Sequence, residues 1–132
     1  MTIIVTGSRG MLGTDMVHIL SARHDVVGWD LHNCNILEAD QVDRMVALSH
    51  PDVIIHTAAY TNVDLAESEP EAAMQLNVTG TENIARAARN SGSRVVYIST
   101  DYVFDGTQNE PYREDDAPCP TGVYGKTKLQ GE

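Results

Sequence analysis

The 132-residue sequence predicts an α/β fold, a doubly wound parallel sheet with helices on both faces. Three observations carry that expectation. Short apolar runs alternate along the chain with longer segments whose apolar residues recur at helical spacing. The first run, Ile3-Ile4-Val5, passes directly into Thr6-Gly7-Ser8-Arg9-Gly10-Met11-Leu12-Gly13, which places three glycines at G-x-x-G-x-x-G spacing before a helical pattern. The run Val53-Ile54-Ile55-His56 shows no polar alternation, as a strand covered on both faces requires.

A strand that turns tightly into a helix needs residues without a Cβ. Gly7 can take the positive φ of the turn, Gly10 lets a pyrophosphate approach the backbone, and Gly13 lets the helix pack on the strand. The helix N-terminus then offers free N–H groups and a positive dipole end to phosphates. Three glycines alone are a weak motif, and a plain turn is the alternative. The strand before them and the helix after them are the context that a dinucleotide-binding, Rossmann-type bend requires.

Bulk properties narrow the partners. The length suits one domain with a real core. A formal net charge of −10 argues against nucleic acid or an anionic membrane, so an anionic ligand needs a local positive site. The N-terminus has no basic region followed by an apolar one, and no apolar run approaches spanning length. Cys34 and Cys119 form neither a disulfide framework nor metal-ligand spacing, and the five histidines show no ligand spacing either. No metal site and a reducing cytoplasm are the expectations.

Taken in order, strand one covers 2–5 and helix one 11–22, with Leu12, Met16, Ile19 and Leu20 at helical spacing. Strand two, 25–29, ends at Asp30, about twenty residues beyond the glycines, where a ribose 2′-hydroxyl would be met. An ordinary acid at a strand end is an equal alternative. Arg9 argues the other way, because a guanidinium there could pair with a 2′-phosphate, so NAD against NADP stays open. The segment 31–37 is too short for a crossover helix. Cys34-Asn35-Ile36 there reads as a short strand or a loop near the adenine.

Helix two covers 38–49, with Val42, Met45, Val46 and Leu48 facing inward. After strand three, 53–56, the small residues of Thr57-Ala58-Ala59-Tyr60 would let a cofactor lie against the backbone at the sheet edge where ligands bind; helix–strand packing by alanines is the alternative. A loop follows at 61–64. Ser68 or Glu69 caps a long helix running to about Asn90, with Pro70 in its first turn and Gly80 as a kink or a close approach. Strand four, 94–98, leads into Ser99-Thr100-Asp101-Tyr102. A polar loop spans 107–122, and a last helix starts at Tyr124.

Tyr124 and Lys128 are four apart and share one helix face. A nearby ammonium favours the phenolate and suits the phenol to proton transfer, here onto a carbonyl oxygen as hydride arrives at carbon. Thr100, at the end of strand four, could hydrogen-bond the same oxygen. Tyr-x-x-x-Lys is common by chance; its place after a glycine bend and a Ser-Thr strand end gives it meaning. His56 reads as a buried, hydrogen-bonded histidine, and Glu114-Asp115-Asp116 as a charged loop face.

With these residues in hand, the chain resembles the extended short-chain dehydrogenase/reductase family. The carrying segments are TGSRGMLG (6–13), HTAAYTNVDLAESEPEAAMQLNVTGTENIA (56–85), STDYVFDG (99–106) and PYREDDAPCPTGVYGKTKLQGE (111–132). The resemblance implies reduction of the C4 carbonyl of dTDP-4-dehydro-6-deoxy-L-mannose, a dTDP-sugar substrate, by NADPH or NADH. Thr100, Tyr124 and Lys128 fall on the family's catalytic trio, with Lys128 also holding the nicotinamide ribose. Gly7, Arg9, Gly10, Met11 and Leu12 would line the pyrophosphate. Asp30, Asn35 and Ile36 would serve the adenosine end, and Ala58, Ala59 and Tyr60 would flank the cofactor. Thr61, Val63, Asp101 and Tyr102 fall where the family contacts the sugar.

Asn35 stands where relatives often carry an Asp, which loosens the adenine assignment. Family members are also much longer. Residues 1–132 are therefore expected to be an incomplete dinucleotide-binding domain, lacking the final strands and the substrate domain, able to bind dinucleotide weakly without turnover. An unfinished sheet edge would invite self-association, giving a homodimer. Two other readings stand beside the reductase: a non-catalytic dinucleotide-binding regulatory subunit, and another nucleotide-sugar epimerase or reductase. The intact trio and the segment 99–106 favour the deoxysugar reductase.

Overall fold

A computed structural model describes all 132 residues. Four parallel strands, β1 (Thr2–Thr6), β2 (Asp25–Trp29), β3 (Val53–His56) and β4 (Arg94–Tyr97), lie in the order β2-β1-β3-β4. Each crossover contains a helix: α1 (Met11–Leu20), α2 (Ala39–Ser49), and, between β3 and β4, a short α3 (Val63–Ser68) with one long helix. The long helix comprises α4 (Pro70–Met74), a π turn (Gln75–Thr79) and α5 (Gly80–Ser91). After β4 come a single 3₁₀ turn, Asp101–Val103, a long loop, and α6 (Val123–Gly131). The doubly wound parallel sheet expected from the sequence is present.

Alternation along the strands sorts the faces. Ile4, Ile54 and Trp29 pack with Val42 and Val46 of α2 and Ile84, Ala87 and Ala88 of α5 in one buried cluster. Gly28 points to the other face, where a methyl group would meet Ser8 and the Val17 side chain of α1. β4 is the far strand, hydrogen-bonded only to β3, and Val95 and Val96 are exposed. No helix is long and apolar enough to cross a membrane.

Several local expectations need correction. In α1 the buried position is Gly13, while Leu12 and Ile19 are exposed. Met16 and Leu20 of the expected set are half-buried, and Val17 joins them. The same helix stops at Leu20, where Ser21 Oγ donates to Val17 O at 2.6 Å. Leu48 lies on the solvent side of α2. Residues 31–37 form turns, so of the two readings of 34–36, strand or loop, the loop holds. Val63 and Asp64, expected in a loop, open α3, because Asn62 Oδ1 accepts the Leu65 N–H at 3.0 Å and caps it. Glu69 precedes Pro70 at the cap position but makes no capping bond; its Oε2 accepts the Tyr60 hydroxyl at 2.7 Å. Gly80 is a close approach and not a kink, since a methyl group there would lie 2.6 Å from Ile36 Cδ1. The helical irregularity is the π turn just before it.

One buried polar chain ties these layers together. Thr81 Oγ1 donates to Asn77 O at 2.7 Å, so it accepts from His56 Nε2, 3.1 Å away. His56 Nδ1 is then left to accept from Thr6 Oγ1 at 2.6 Å, and Thr6 Oγ1 in turn accepts the Ala58 N–H at 3.2 Å. Every site on the neutral imidazole is matched, as a buried polar group requires. Burial first, and the Lys128 charge second, push the His56 pKa down from 6.5 to about 4. The unfolded chain takes up this proton first. The histidine's contribution is therefore complete above pH 6.5 and is lost as pH falls toward about 4. Wild type is expected to lose on the order of 3 kcal/mol more stability than His56→Gln across that window. Urea unfolding at neutral pH and near its lower end measures this, and parallel slopes for the two proteins would rule it out.

Candidate active site

A cavity of about 630 Å³ opens beside the carboxyl ends of the strands, within the size range of cofactor sites. Its first wall is the bend from β1 into α1. Gly7 sits there at φ +66°, and a methyl group on it would lie 2.8 Å from the Ala58 backbone. A Cβ on Gly13 would overlap the Gly7 carbonyl. No other residue type lets strand, helix and the segment after β3 come this close. Within α1 the first bond back along the chain is Thr14 N to Gly10 O at 3.0 Å, and the Gly10 cap has no side chain to offer. The amides of Met11, Leu12 and Gly13 are thus the orphan donors of a helix start, on a cavity wall, at the positive end of the dipole. That arrangement fits a diphosphate.

Trp29, Asp30, Leu31, Cys34, Asn35 and Ile36 form the end beyond β2, where an adenosine would lie. Cys34 is buried in that wall, and burial raises its thiol pKa. Asp30 is an anchor of the loop: its Oδ2 accepts the Arg9 N–H at 3.0 Å and its Oδ1 the Leu31 N–H at 2.8 Å. Asn35 Oδ1 accepts the Leu37 N–H at 3.1 Å. Thr57, Ala58, Ala59 and Thr61 line the segment after β3, where the absence of bulk leaves room for a flat ligand.

The opposite end belongs to α6. Tyr124 and Lys128 both reach the cavity, next to Ile98 and Ser99 at the end of β4. Four contacts seat this helix. Glu67 Oε1 of α3 accepts the Val123 N–H at 2.8 Å, supplying a charge and an acceptor where the helix begins. Asn77, buried in the π turn, donates Nδ2 to Thr127 Oγ1 at 2.9 Å and to Tyr60 O at 3.1 Å, while its Oδ1 accepts the Tyr60 N–H at 2.7 Å. It thereby stitches α6 to the segment after β3. The Tyr97 hydroxyl donates to Lys128 O at 3.1 Å. Gly125 lies so near Tyr102 O that a methyl group would overlap it.

Lys128 is only 4% exposed, so its charge is held by local groups. Its Nζ donates to Ile98 O at 2.7 Å and stands 4.1 Å from the Tyr97 ring centroid. No carboxylate pairs with it; the structure's one ion pair joins Arg86 and Asp43. Burial therefore lowers its pKa to about 8, with Glu132 pulling weakly the other way. Tyr97 below it is raised to about 12, by burial and then by the charges of Glu132 and Tyr124. The Tyr124 ring meets the edge of Tyr102 at 5.6 Å between centroids.

The cavity wall includes Gly7, Gly10, Met11, Leu12, Asp30, Asn35, Ile36, Ala58, Ala59, Thr61, Tyr124 and Lys128 from the sequence expectation. Arg9, Tyr60, Val63, Thr100, Asp101 and Tyr102 are not on it. The Thr100 hydroxyl caps the 3₁₀ turn, accepting the Tyr102 N–H at 3.3 Å and donating to Asp101 Oδ1 at 3.2 Å. The wall residue at that strand end is Ser99. Sequence reasoning did not find Glu67, Asn77, Tyr97 or Thr127. Asn77 alone left a trace, as a polar residue in mid-helix three positions before a glycine. No group of three or more His, Cys, Asp and Glu side chains could hold a metal ion.

A Rossmann-type sheet whose glycine bend and Tyr-x-x-x-Lys helix share one cavity defines the class, that of the extended short-chain dehydrogenase/reductases. Within it the chain belongs to the RmlD substrate binding domain family, whose model matches residues 1–132. It is 44% identical to dTDP-4-dehydrorhamnose reductase of Salmonella typhimurium over 136 residues, covering 100% of this chain and 46% of that protein. It is also 41% identical to methionine adenosyltransferase 2 subunit beta of Xenopus tropicalis, covering 98% of this chain and 41% of that one. The crystal structure of dTDP-4-dehydrorhamnose reductase from Bacillus anthracis in complex with NADP superposes with a TM-score of 0.96 at 40% identity, covering 98% of this chain and 47% of that one. The chain thus spans less than half the length of these relatives.

Gly125→Ala is expected to lift α6 off the Tyr102 carbonyl and to destabilise the protein by about 1–3 kcal/mol, as overpacking does. Urea unfolding tests it; a loss within about 0.5 kcal/mol, the range of an ordinary surface change, would contradict the tight seating.

Proposed function

We propose that the chain is the dinucleotide-binding part, residues 1–132, of an NAD(P)H-dependent reductase. Its reaction converts the C4 carbonyl of dTDP-4-dehydro-6-deoxy-L-mannose to the alcohol of dTDP-L-rhamnose. The observation that carries this reading is that Tyr124 and Lys128 face the same cavity as the free amides of α1. A reduced nicotinamide bound there would supply the hydride to C4. Tyr124 gives its phenolic proton to the carbonyl oxygen, and Lys128, protonated, stabilises the phenolate that remains. Thr100, beyond the end of β4, turns its hydroxyl from Asp101 Oδ1 to the same oxygen once substrate is present. Thr61, Val63, Asp101 and Tyr102 contact the sugar. The crystallised relative in complex with NADP and the Salmonella reductase both support this reading.

A second reading has its own support. The likeness to methionine adenosyltransferase 2 subunit beta, named as a subunit of another enzyme, is nearly as strong, and it supports the alternative of a non-catalytic dinucleotide-binding regulatory subunit. Turnover of nicotinamide by the full-length protein with the dTDP-4-keto sugar separates the two.

Tyr124→Phe is expected to lower kcat by about 10²–10⁴-fold, the usual share of a general acid, with cofactor affinity unchanged. An unaltered rate would remove Tyr124 from the chemistry. The wild-type rate should fall as pH rises through about 8, because Lys128 loses its proton there and with it the charge that supports Tyr124. A pH–rate profile that stays flat to about pH 10, the range of an ordinary lysine, would contradict this.

A further inference from the structure

Lys128 holds a charge where little water reaches it. The residue is 4% exposed, yet no carboxylate pairs with it. A buried cation is costly unless neighbouring groups take the place of water. Asp64 and Glu67 of α3, Glu71 of α4 and Asp101 of the 3₁₀ turn are the acids on the elements packed against α6, and none forms an ion pair with it. Glu67 is engaged at the far end of the helix by the Val123 N–H. Glu132, on α6 itself, is exposed and accepts the Ser99 hydroxyl. His56 of β3 is neutral above its lowered pKa of about 4. Two groups remain. Nζ donates to Ile98 O at 2.7 Å, and it stands over the Tyr97 ring, 4.1 Å from the centroid. The ring is fixed there from several sides. Its hydroxyl donates to Lys128 O at 3.1 Å, and a methyl group on Gly131 would come within 2.5 Å of that hydroxyl. The bare glycine is what lets the phenol lie beneath the helix. On β3 the ring meets His56, with centroids 5.9 Å apart.

We propose that Tyr97 is a positioning residue whose ring keeps the Lys128 ammonium charged and in place on the cavity wall. Its consequence for turnover rests on the reading of Lys128 as the charge that supports Tyr124, and it adds what sustains that charge. The negative face of an aromatic ring attracts a cation, more strongly where both are out of water. Burial raises the Tyr97 hydroxyl to about 12, so the ring stays a neutral π face through the range in which Lys128 titrates. A ring face and one carbonyl thus stand where a counter-ion would otherwise be needed. Without the ring the charged form loses support and the ammonium gives up its proton at lower pH. The alkaline limb of the rate profile then moves down with it.

Lys126 and Lys128 are the only lysines of the sequence, and Lys126 is exposed. Carbon-13 labelling of lysine therefore lets an NMR titration of the Cε signals follow Lys128 directly, with no cofactor or substrate present. Tyr97→Phe keeps the ring and should leave the Lys128 midpoint near that of wild type. Tyr97→Leu should lower it by about one pH unit, the worth of a desolvated cation–π contact. Tyr97→Phe with increasing ring fluorination keeps the shape of the ring while draining its negative face, so it perturbs the fold least; the midpoint should fall step by step along that series. A midpoint that ignores fluorination, or that Tyr97→Leu leaves unmoved or raises, would overturn the proposal. The pH–rate profile with the dTDP-4-keto sugar separates this from the reaction itself: its alkaline limb should track the NMR midpoint. A midpoint that falls while the limb stays fixed would leave Tyr97 its hold on Lys128 and remove Lys128 from the reaction instead.

Discussion

The bend from β1 into α1 is the constraint on which the other features depend. Gly7 can adopt its left-handed φ of +66° without strain, and neither Gly7 nor Gly13 has a Cβ to hold the sheet, the helix and the Ala58 backbone apart. Because the helix starts this close to the strand, the residues carrying its three orphan amides lie on the cavity wall. Because β3 lies directly beside β1, the segment that follows it, small through Thr57-Ala58-Ala59, runs along the same cavity. A single methyl group at this bend would separate parts that otherwise converge on one ligand.

The α6 end of the cavity obeys a different rule. α6 is nearly devoid of an apolar face: Gly125, Thr127 and Lys128 are its buried residues. It is held by polar contacts, through Glu67 at its start, Asn77 in its middle and Tyr97 beneath Lys128. Polar contacts are directional, so they fix the rotation of the helix as well as its position. That rotation points Tyr124 and Lys128 to one side. The burial that orients Lys128 also strips its charge of water, and this is why the ammonium is so easily deprotonated.

His56, Thr81 and Asn77 link the two ends. The hydrogen-bond chain from Thr6 through His56 and Thr81 to Asn77 runs from the strand carrying the glycine bend to the residue that seats α6. Each member is buried and matched, so displacing one leaves a neighbour unpaired, at a free-energy cost well above that of a surface contact. The glycine bend and the seat of α6 are in this way parts of one polar framework inside an apolar sheet.

By itself the sequence determined the order of strands and helices, the parallel doubly wound class, the glycine bend and the Tyr124–Lys128 pair. These are local or periodic signals: apolar runs, glycine spacing, and residues four apart on one helix. It did not determine which faces were buried: Leu12 and Ile19, at helical spacing, and Leu48, placed inward, lie outside. The start of α3 was hidden because a cap depends on Asn62 bonding within its own turn, a geometry that composition does not reveal. Only tertiary structure could decide the partners of Glu67, Asn77 and Tyr97, since their contacts to α6 join residues 31 to 56 positions apart. Tertiary structure also decided that Asp30 faces the loop amides while Arg9 and His32 meet at the rim. Spacing along a chain states which groups exist; the direction of a side chain is set by what packs against it.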